Sequence, residues 1–432
     1  MVVVFRRYRP GDEVGIVGLL RTCFRSYGVW GLTVDDWVSY ESSDYGFRRD
    51  LALVAEEGGK IVGHVQLVVR RLRVGVAYVD TGGIANVSTH PEYRRRGIAT
   101  SLMKLALEVC RKFGLALSSL LTEYGSAGYR VYRSLGYADT FTFYEFVGAR
   151  DRVERALDVL SGGPDLEFEE LDEERIEEVA RVYDIWSSRF SGMVWRPLEY
   201  WRARVLEKTF YHSFLYDERD SGVRVVALDG GRVVGYALGL VASRMRRGVW
   251  PREEGVVLEV AAIDGRYLRS VLREVLRRLI AEDVRVVRLF VPYVPELSDV
   301  LDMFERFSGS VYMDYVIDQY KLCKQLEPEL RRRVEEVGLA VSTSIDLCSP
   351  YGCARIDIDK GYVEILPSTV PASNKVHLSR DGITRLIYGV YSFSDVLLRS
   401  EVEFLSCDKA ALRVLHTLFP RRIVYISQID TW

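Results

Sequence analysis

The chain has 432 residues, of which 48% are hydrophobic and 28% are charged, and its formal net charge is −2. This is the composition of a folded globular protein and not of a disordered or collagen-like chain, and the length predicts roughly two to four domains. The near-zero charge argues against a general binder of nucleic acids or anionic membranes, because such binders carry a large basic excess.

The sequence indicates a cytoplasmic protein without metal. No stretch reaches the roughly 18 apolar residues that span a bilayer, and the apolar N-terminus meets Arg6 and Arg7 without the charge-first order of a signal peptide. The six cysteines form no CxxC pair and have no histidine cluster nearby, so we expect no metal site. Cys348 and Cys353 flank a turn where a disulfide can form, although reduced thiols are the expectation in cytosol.

A helix and a hairpin are the first predicted elements. Residues 12–24 have apolar side chains at helical spacing. Residues 54–64 read as two strands joined by Gly58 and Gly59, and these glycines supply the positive φ angles that a two-residue hairpin turn needs. The same helix and hairpin occur again later in the chain, and this repetition supports the prediction.

The next segment carries the chemistry. An apolar strand at residues 84–89 leads into an arginine-rich loop, and a helix is predicted from about Gly97. A helix N-terminus has unpaired N–H groups and partial positive charge, so it binds anions. Gly97 has no Cβ and Ala99 is small, which lets the backbone approach a ligand closely. A pyrophosphate is the ligand that this geometry fits.

These residues resemble a known family. Residues 94–99 match the R/Q-x-x-G-x-G/A pyrophosphate loop of the GNAT superfamily of N-acetyltransferases, residues 87–91 look like its fourth strand, and residues 129–137 resemble its late helix with a Gly-Tyr end. The resemblance implies acetyl-CoA as co-substrate. The cofactor-binding residues that it implies are Val87, Ser88, Thr89, Arg94, Arg95, Arg96, Gly97, Ile98, Ala99, Thr100 and Ser126.

Tyr132 stands where this family commonly places a general acid. When a neutral amine attacks the thioester, the leaving thiolate must be protonated, and a phenol with a reference pKa of about 10 keeps its proton at neutral pH. We therefore expect Tyr132 to be the acid. His90 is a candidate base, but it precedes Pro91 inside the cofactor loop, and we interpret it as structural.

The pattern then returns in a second copy. After a turn-rich linker at residues 148–167, a helix at 172–186 and a Gly-Gly hairpin at 226–236 repeat the first order of elements, which indicates a duplicated domain. The turn at residues 263–267 lacks the arginine–glycine motif, and Asp264 puts a negative charge near the phosphate seat. We expect a degenerate acetyltransferase fold that no longer binds CoA.

A third region follows a boundary near residues 324–328. Its predicted elements are a connecting helix at 329–338, strands at 354–358 and 362–365, and helices at 381–388 and 408–418. The whole arrangement resembles the enhanced intracellular survival family of aminoglycoside and amine acetyltransferases, whose third domain looks like a sterol carrier protein. Residues 387–392 and the ending Asp430-Thr431-Trp432 carry that part of the resemblance.

The predicted fold is therefore α/β (α+β), with a catalytic GNAT domain at residues 1–150, a degenerate GNAT domain at 165–323 and a sterol-carrier-like domain at 326–432. The resemblance implies that the terminal carboxylate of Trp432 reaches the first active site as base or positioning charge. It also implies a homo-oligomer, since similar proteins form hexamers. Ser26 and Thr431 are neutral where family members that accept aminoglycosides build an acidic pocket, which puts aminoglycoside specificity in doubt.

Three functions from different classes fit these sequence features. The first is an N-acetyltransferase that acts on a primary amine of a small molecule, a polyamine, a peptide or a lysine side chain. The second is a lipid carrier that uses the C-terminal domain, and the third is a regulatory CoA sensor. A carrier needs neither the loop at residues 94–99 nor Tyr132, and a sensor does not need Tyr132, so the sequence favours the enzyme.

Overall fold

The computed structural model describes residues 2–211, 215–218, 222–244, 251–369 and 371–432. The strands are β1 (Val4–Arg7), β2 (Phe47–Glu57), β3 (Lys60–Val74), β4 (Ala77–Thr89), β5 (Leu117–Glu123), β6 (Ala138–Ala149), β7 (Glu167–Glu170), β8 (Ser191–Val194), β9 (Lys208–Tyr211), β10 (Leu215–Glu218), β11 (Gly222–Asp229), β12 (Arg232–Val241), β13 (Glu254–Ala262), β14 (Val286–Leu289), β15 (Glu305–Val316), β16 (Thr343–Ser349), β17 (Gly352–Asp359), β18 (Tyr362–Pro367), β19 (Asn374–Leu378) and β20 (Val402–Ser406).

The helices are α1 (Asp12–Cys23), α2 (Arg25–Trp30), α3 (Val34–Ser43), α4 (Ile98–Lys112), α5 (Ala127–Leu135), α6 (Arg150–Val159), α7 (Ile176–Ser187), α8 (Leu198–Tyr200), α9 (Gly265–Ile280), α10 (Ser298–Leu301), α11 (Gln319–Glu336), α12 (Arg380–Tyr388), α13 (Phe393–Leu398) and α14 (Lys409–Leu418). Among the described residues, no helix is long and apolar enough to cross a membrane. The fold is mixed α/β, as the sequence predicts.

One large sheet runs through both copies of the repeat. Its strand order is β1-β2-β3-β4-β5-β15-β6-β14-β13-β12-β11-β7, with β8 attached to β3. We call residues 4–149 the first copy and residues 167–316 the second copy. The amphipathic helix α4 packs on β2, β3 and β4 of the first copy, and α9 packs on β11, β12 and β13 of the second. The two copies therefore repeat the same layer of helix on sheet.

The last strand of each copy crosses into the other copy. Strand β15 of the second copy lies between β5 and β6, with Val311 opposite both Thr122 and Thr142. Strand β6 of the first copy in turn pairs with β14 of the second, from Ala149 opposite Val286 to Phe146 opposite Leu289. Because both ladders are antiparallel and continuous with the sheet, neither copy has a complete sheet without the other.

The two copies match residue by residue at the centre of the sheet. In the first, residues 81–84 of β4 pair in parallel with residues 117–120 of β5. In the second, residues 254–257 of β13 pair in parallel with residues 286–289 of β14. Both Gly-Gly turns have positive φ angles, 60° and 83° at residues 58–59 and 57° and 78° at residues 230–231, as the predicted hairpin turns need.

Some predicted boundaries differ from the structure. The segment predicted as a linker at residues 148–167 contains the end of β6 and the helix α6, because Val153 and Ala156 bury an apolar face. The predicted boundary at residues 324–328 lies inside α11, which accommodates Pro328 while Leu326 and Leu330 hold the buried face on either side. The second copy's first helix begins at Ile176 and not at residue 172.

The C-terminal region, residues 319–432, has its own sheet, β18-β17-β16-β19-β20. Helix α11 packs on β17 and β18, and it also reaches β4 of the first copy, while α12 packs on β6. Cys348 and Cys353 form a disulfide, against the expectation of reduced thiols. The cause is the tight hairpin between β16 and β17, which places the two cysteines directly opposite each other.

A buried ion cluster fastens the first copy to the second. Asp44 of the first copy lies between Arg70 and Arg204, and all three side chains are inaccessible to solvent or nearly so. The Arg70 Nη2 to Asp44 Oδ2 distance is 2.6 Å. The two guanidinium groups hold the pKa of Asp44 well below its ordinary value against the opposing effect of burial. This contact keeps the copies in fixed register.

Candidate active site

Strands β4 and β5 diverge in the middle of the first copy. They are paired only over residues 81–84 and 117–120. Beyond this point β4 continues along β3, with a bulge and a left-handed φ of 53° at Asn86, while β5 continues along β15. The facing edges of residues 85–89 and 121–123 are therefore separated, and a V-shaped cleft opens between them.

The N-terminus of α4 stands at the mouth of this cleft. Its first hydrogen bond runs from the Ser101 N–H to the Gly97 carbonyl at 3.0 Å, so the amides of Ile98, Ala99 and Thr100 have no partner inside the helix. Arg95 and Gly97 have positive φ angles of 62° and 77°. A Cβ at Gly97 would meet no described atom within 4 Å. The loop thus presents free amides to an open space.

Three arginines surround that space. Arg94, Arg95 and Arg96 are exposed. The Arg96 guanidinium lies 4.9 Å from the centroid of the Tyr93 ring, and Arg94 Nε lies 3.4 Å from the Thr89 carbonyl. Free amides at a positive helix end, together with three cations, form an anion site of the kind that holds a pyrophosphate. No acidic residue lies among positions 93–104, so no carboxylate of this loop opposes an anion.

Tyr132 lies on the α4 side of the sheet. Ser126 caps α5 by accepting the Tyr129 N–H at 3.0 Å, which fixes the start of the helix that carries Tyr132. The Tyr132 side chain is buried with Ile84 and Leu120, the last paired residues before the cleft opens. Burial raises the pKa of Tyr132 well above that of an exposed phenol. The phenol therefore keeps its proton at neutral pH, and in the described part of the chain its hydroxyl has no hydrogen-bond partner.

Trp432 lies on the opposite side of the same point. It is 7% exposed, and its indole Nε1 donates to the Ser119 carbonyl at 3.1 Å. A Cβ at Gly83 would lie 2.8 Å from the indole ring, so only glycine fits there. The ring also meets Tyr312 edge-on, with centroids 6.0 Å apart. Since Gly83 and Ser119 are partners in the parallel pair, the chain end sits at the base of the cleft.

The sequence reasoning missed His64 and Asn86. His64 is fully buried, its Nδ1 is 3.3 Å from the Asn86 carbonyl, and Nε2 has no partner among the described residues. Burial lowers the pKa of His64 to about 4, so the ring is neutral. The Asn86 Oδ1 accepts the Tyr27 hydroxyl at 2.9 Å. The aligned repeat could have pointed to His64, because His64 corresponds to Tyr236 at the end of the second hairpin.

Asp314 is the other residue that the sequence did not single out. It lies on β15, opposite Ser119 of β5 and Ala138 of β6, and is completely buried. The Thr140 hydroxyl donates to one carboxylate oxygen, and the Tyr388 hydroxyl donates to the other at 3.3 Å. Burial raises the pKa of Asp314 to about 6. A titratable carboxyl therefore lies beside the strand that accepts the Trp432 indole.

The remaining predicted residues lie around the same cleft. Val87, Ser88 and Thr89 form its β4 edge. His90 begins a 3-10 turn, and its Nε2 is 3.3 Å from the ammonium of Lys60. This contact keeps it in the loop, as the structural interpretation predicts. Ser26 is exposed, whereas Thr431 is buried and donates its hydroxyl to the Gln428 carbonyl at 3.0 Å.

The matching place in the second copy is closed. Asp264 caps α9 by accepting the Arg266 N–H at 2.9 Å. A Cβ at Gly265 would lie 2.5 Å from Glu296 Oε1, and Glu296 pairs with Arg189. Two carboxylates thus occupy the helix end that would otherwise attract a phosphate. That this copy does not bind CoA stays a prediction.

The first copy is similar to a known acetyltransferase domain. Residues 4–139 match the family model described as "Acetyltransferase (GNAT) domain". A search of the curated proteins finds no match. The matched residues include the cleft, the arginine loop and Tyr132.

Solved structures share the whole architecture. A GCN5-related N-acetyltransferase from Kribbella flavida has a TM-score of 0.69 at 19% identity, covering 100% of this chain and 98% of that one. A probable N-acyltransferase from Enterococcus faecalis V583 has a TM-score of 0.73 at 14% identity, and Eis1 from Mycobacterium abscessus has 0.62 at 15%; both alignments cover 100% of each chain. At these identities the likeness shows that the three-part fold is shared.

Proposed function

We propose that the protein is an N-acetyltransferase that moves the acetyl group of acetyl-CoA to a primary amine in the cleft of the first copy. The observation that carries the proposal is the uncapped N-terminus of α4 beside two diverging strands, with Tyr132 on one side and Trp432 on the other. The free amides and the three arginines accept the pyrophosphate, and the open β4 edge at residues 87–89 pairs with the pantetheine arm. Ser126 lies at the inner end of that path.

The reaction is direct attack. The amine nitrogen bonds to the thioester carbonyl carbon, and the bond from that carbon to sulfur breaks. Tyr132 gives its proton to the leaving sulfur, for which its raised pKa keeps it protonated. The amine loses one proton to a basic group on the acceptor side. Cofactor and acceptor thus approach from the two faces of the sheet.

We propose the terminal carboxylate of Trp432 as the group that receives or holds this amine. The indole is fixed at the base of the cleft on the face opposite Tyr132. A free α-carboxyl has a reference pKa of about 3.5, which is low for a base. It therefore acts through a water, or it holds the ammonium before proton loss. If burial raises its pKa, the carboxylate acts as the base directly.

The acceptor is an amine without several positive charges. Ser26 and Thr431 are uncharged, and Asp430, the carboxylate nearest the chain end in sequence, is fully engaged by Arg196. A polycation such as an aminoglycoside needs unpaired carboxylates to offset its desolvation. Small monoamines and peptide or lysine amines fit this site better. The cytoplasmic location, the oligomer and the likeness of residues 326–432 to a sterol carrier stay predictions.

The proposal is tested by thiol release from acetyl-CoA with a panel of monoamines, peptides, polyamines and aminoglycosides. Tyr132→Phe lowers kcat by roughly 10²-fold, the scale of a general acid, and leaves the affinity for acetyl-CoA unchanged. Tyr129→Phe is the matched control, because that phenol lies on the same helix but donates to Asp139 at 2.9 Å. Equal turnover in the two variants removes Tyr132 from the mechanism, and thiol release with no amine of the panel defeats the proposal.

A further inference from the structure

The end of the chain is buried between the two copies. Residues 425–432 are all buried, unlike a terminus that frays into solvent. Trp432 contacts Gly83 and Ser119 of the first copy and Tyr312 of the exchanged strand β15. The residues just before it contact the second copy. The tail therefore joins the closed copy to the working cleft.

The tail first contacts the second copy at strand β8. Ser191 and Val424 form a parallel bridge, with the Tyr425 N–H donating to the Ser191 carbonyl at 2.9 Å. The Tyr425 hydroxyl then donates to the Phe290 carbonyl at 2.7 Å. Phe290 is the first residue after β14, where β14 parts from β13. The tail thus passes the point of the second copy that corresponds to the open cleft of the first.

Arg196 holds the tail two residues before its end. Its Nη2 is 2.7 Å from Asp430 Oδ2, and its Nε is 3.0 Å from Asp430 Oδ1. The same guanidinium donates to both oxygens of Glu259, from Nη1 at 2.9 Å and from Nη2 at 2.7 Å. The Arg196 and Asp430 side chains have no solvent exposure and that of Glu259 is 2% exposed. A buried arginine that is forked between two carboxylates has a fixed position.

Aromatic side chains and their hydroxyl groups surround the cluster of Arg196, Glu259 and Asp430. The guanidinium carbon of Arg196 lies 4.1 Å from the centroid of the Tyr183 ring and 4.9 Å from that of Trp201. The Tyr236 hydroxyl donates to Glu259 at 2.6 Å, and the Tyr200 hydroxyl donates to Asp430 at 2.8 Å. The cluster has two carboxylates and one guanidinium, so it has one extra negative charge. The two phenols each donate a hydrogen bond to a carboxylate and so help to stabilise this extra charge. Such a network resists rearrangement because the guanidinium and both carboxylates are hydrogen-bonded.

Glu259 occupies the place of Asn86 in the repeat. Gly63 pairs with Thr89, and Gly235 pairs with Ala262. Asn86 and Glu259 each lie three residues before these partners, just after the parallel pairs end. The second copy therefore uses the position at the base of its own cleft to bind the arginine that holds the tail.

We infer that Arg196, held by Glu259, is a positioning residue that sets the chain end in the active site of the first copy through Asp430. This inference rests on the proposed function, in which Trp432 contributes to acceptor handling. The second copy then has a defined role, because it holds in place a group that acts in the first copy. Arg196 itself touches neither substrate.

The variant that tests the inference is Asp430→Asn, which cuts the ion pair and keeps the volume. The matched control is Glu254→Gln on the same strand as Glu259. Glu254 is buried and pairs with Arg288, which also pairs with Glu145. Each substitution removes one carboxylate from an arginine that binds at least two, and only Asp430 belongs to the tail. Tyr200→Phe, which removes one hydroxyl bond to Asp430, is a milder second variant.

The first readout is independent of activity. Carboxypeptidase releases Trp432 only from an opened tail, so its rate reports the open population. We expect release at least about tenfold faster from Asp430→Asn than from wild type or Glu254→Gln, with Tyr200→Phe in between, because a charged contact has been lost. Equal rates in all four proteins overturn the inference. This result stands even when no acetyl acceptor has been found.

The second readout is turnover at saturating acetyl-CoA. We expect Asp430→Asn to lower kcat by about tenfold with unchanged KM for acetyl-CoA, because the acceptor side alone is misplaced. In a chain that already lacks Trp432, Asp430→Asn has no further effect, as expected for two residues in one pathway. A full additive loss in that background, or normal kcat with a freed tail, overturns the positioning role. If wild type transfers no acetyl group, the proposed function fails while the release assay still decides the tail contact.

Discussion

The two copies differ most at one helix end, which is open in the first copy and closed in the second. In the first copy, α4 begins at Ile98 after the N-cap Gly97, with open space in front of its amides. In the second, Asp264 caps α9 and Glu296 lies against Gly265. The strands beside both helices have the same four parallel pairs. A small difference of charge at a helix terminus therefore closes one helix end and leaves the fold intact.

The largest expected effect comes from separating the copies. Residues 1–163 expressed alone lose β15, which pairs with both β5 and β6. Two unpaired strand edges then face solvent, and we expect an unfolded or aggregated product. Co-expression with residues 164–432 restores a soluble complex, because it supplies the missing strand. The measurement is solubility with cooperative thermal unfolding; a cooperative transition in the fragment alone contradicts the exchange of strands.

The next effect is on cofactor affinity. Gly97→Asp places a carboxylate before the amides of α4, and Gly97→Asn is its uncharged control, since both tolerate a left-handed φ. We expect the Asp variant to bind acetyl-CoA roughly 10- to 100-fold more weakly than the Asn variant, on the scale of a charge at a helix end plus direct repulsion. Calorimetry gives both constants. Equal affinities would falsify the placement of the pyrophosphate at this loop.

These features were not equally readable from the sequence. Gly97, its arginines and Tyr132 could be found because each belongs to a short local pattern with one mechanism. The Gly-Gly turns and the order of elements likewise gave the repeat. The exchange of β6 and β15 could not be found, because the residues of a strand do not identify its partner strand. Register alone does not say which copy supplies the partner.

The tail contact had no sequence signal either. Arg196, Glu259 and Asp430 are far apart in the chain, and each resembles any exposed charged residue in one sequence. Apolar residues near the chain end indicated burial but not against which copy. Residues 423–426 contribute a single bridge, Val424 with Ser191, because the segment adds to the end of the short strand β8. Long-range charge pairing of this kind needs the folded structure.

A smaller effect concerns the exchanged strand at Asp314. Its pKa in the folded chain is raised from 3.8 to about 6 by burial. The folded state therefore binds a proton more strongly than the unfolded state, and this contribution to stability is complete below about pH 4 and is lost as the pH rises through about 6. Asp314→Asn has no such titration. We expect the stability difference, variant minus wild type, to rise by on the order of 2 kcal/mol from pH 4 to pH 8.

Urea unfolding at several pH values measures this difference. The groups that surround Asp314 are the hydroxyls of Thr140 and Tyr388 and the paired Ser119, none of which is ionised in this range. The pH dependence therefore belongs to the carboxyl itself. A difference that stays constant from pH 4 to pH 8 contradicts the raised pKa and shows that water reaches the strand.

The smallest expected effect returns to the helix ends. Asp264→Ala removes the cap of α9 and costs about 1 kcal/mol of stability, as other N-cap losses do. It does not create a second cofactor site, because Glu296 still lies against Gly265 and the loop lacks the arginines of the first copy. We expect a Tm lowered by a few degrees and an unchanged stoichiometry of one acetyl-CoA per chain by calorimetry. Glu296→Gln added to it removes the second carboxylate but still supplies no cation, so the stoichiometry stays at one. A second binding event in either variant means that the carboxylates alone keep acetyl-CoA out, and that the arginines of the first copy set affinity but are not needed for entry.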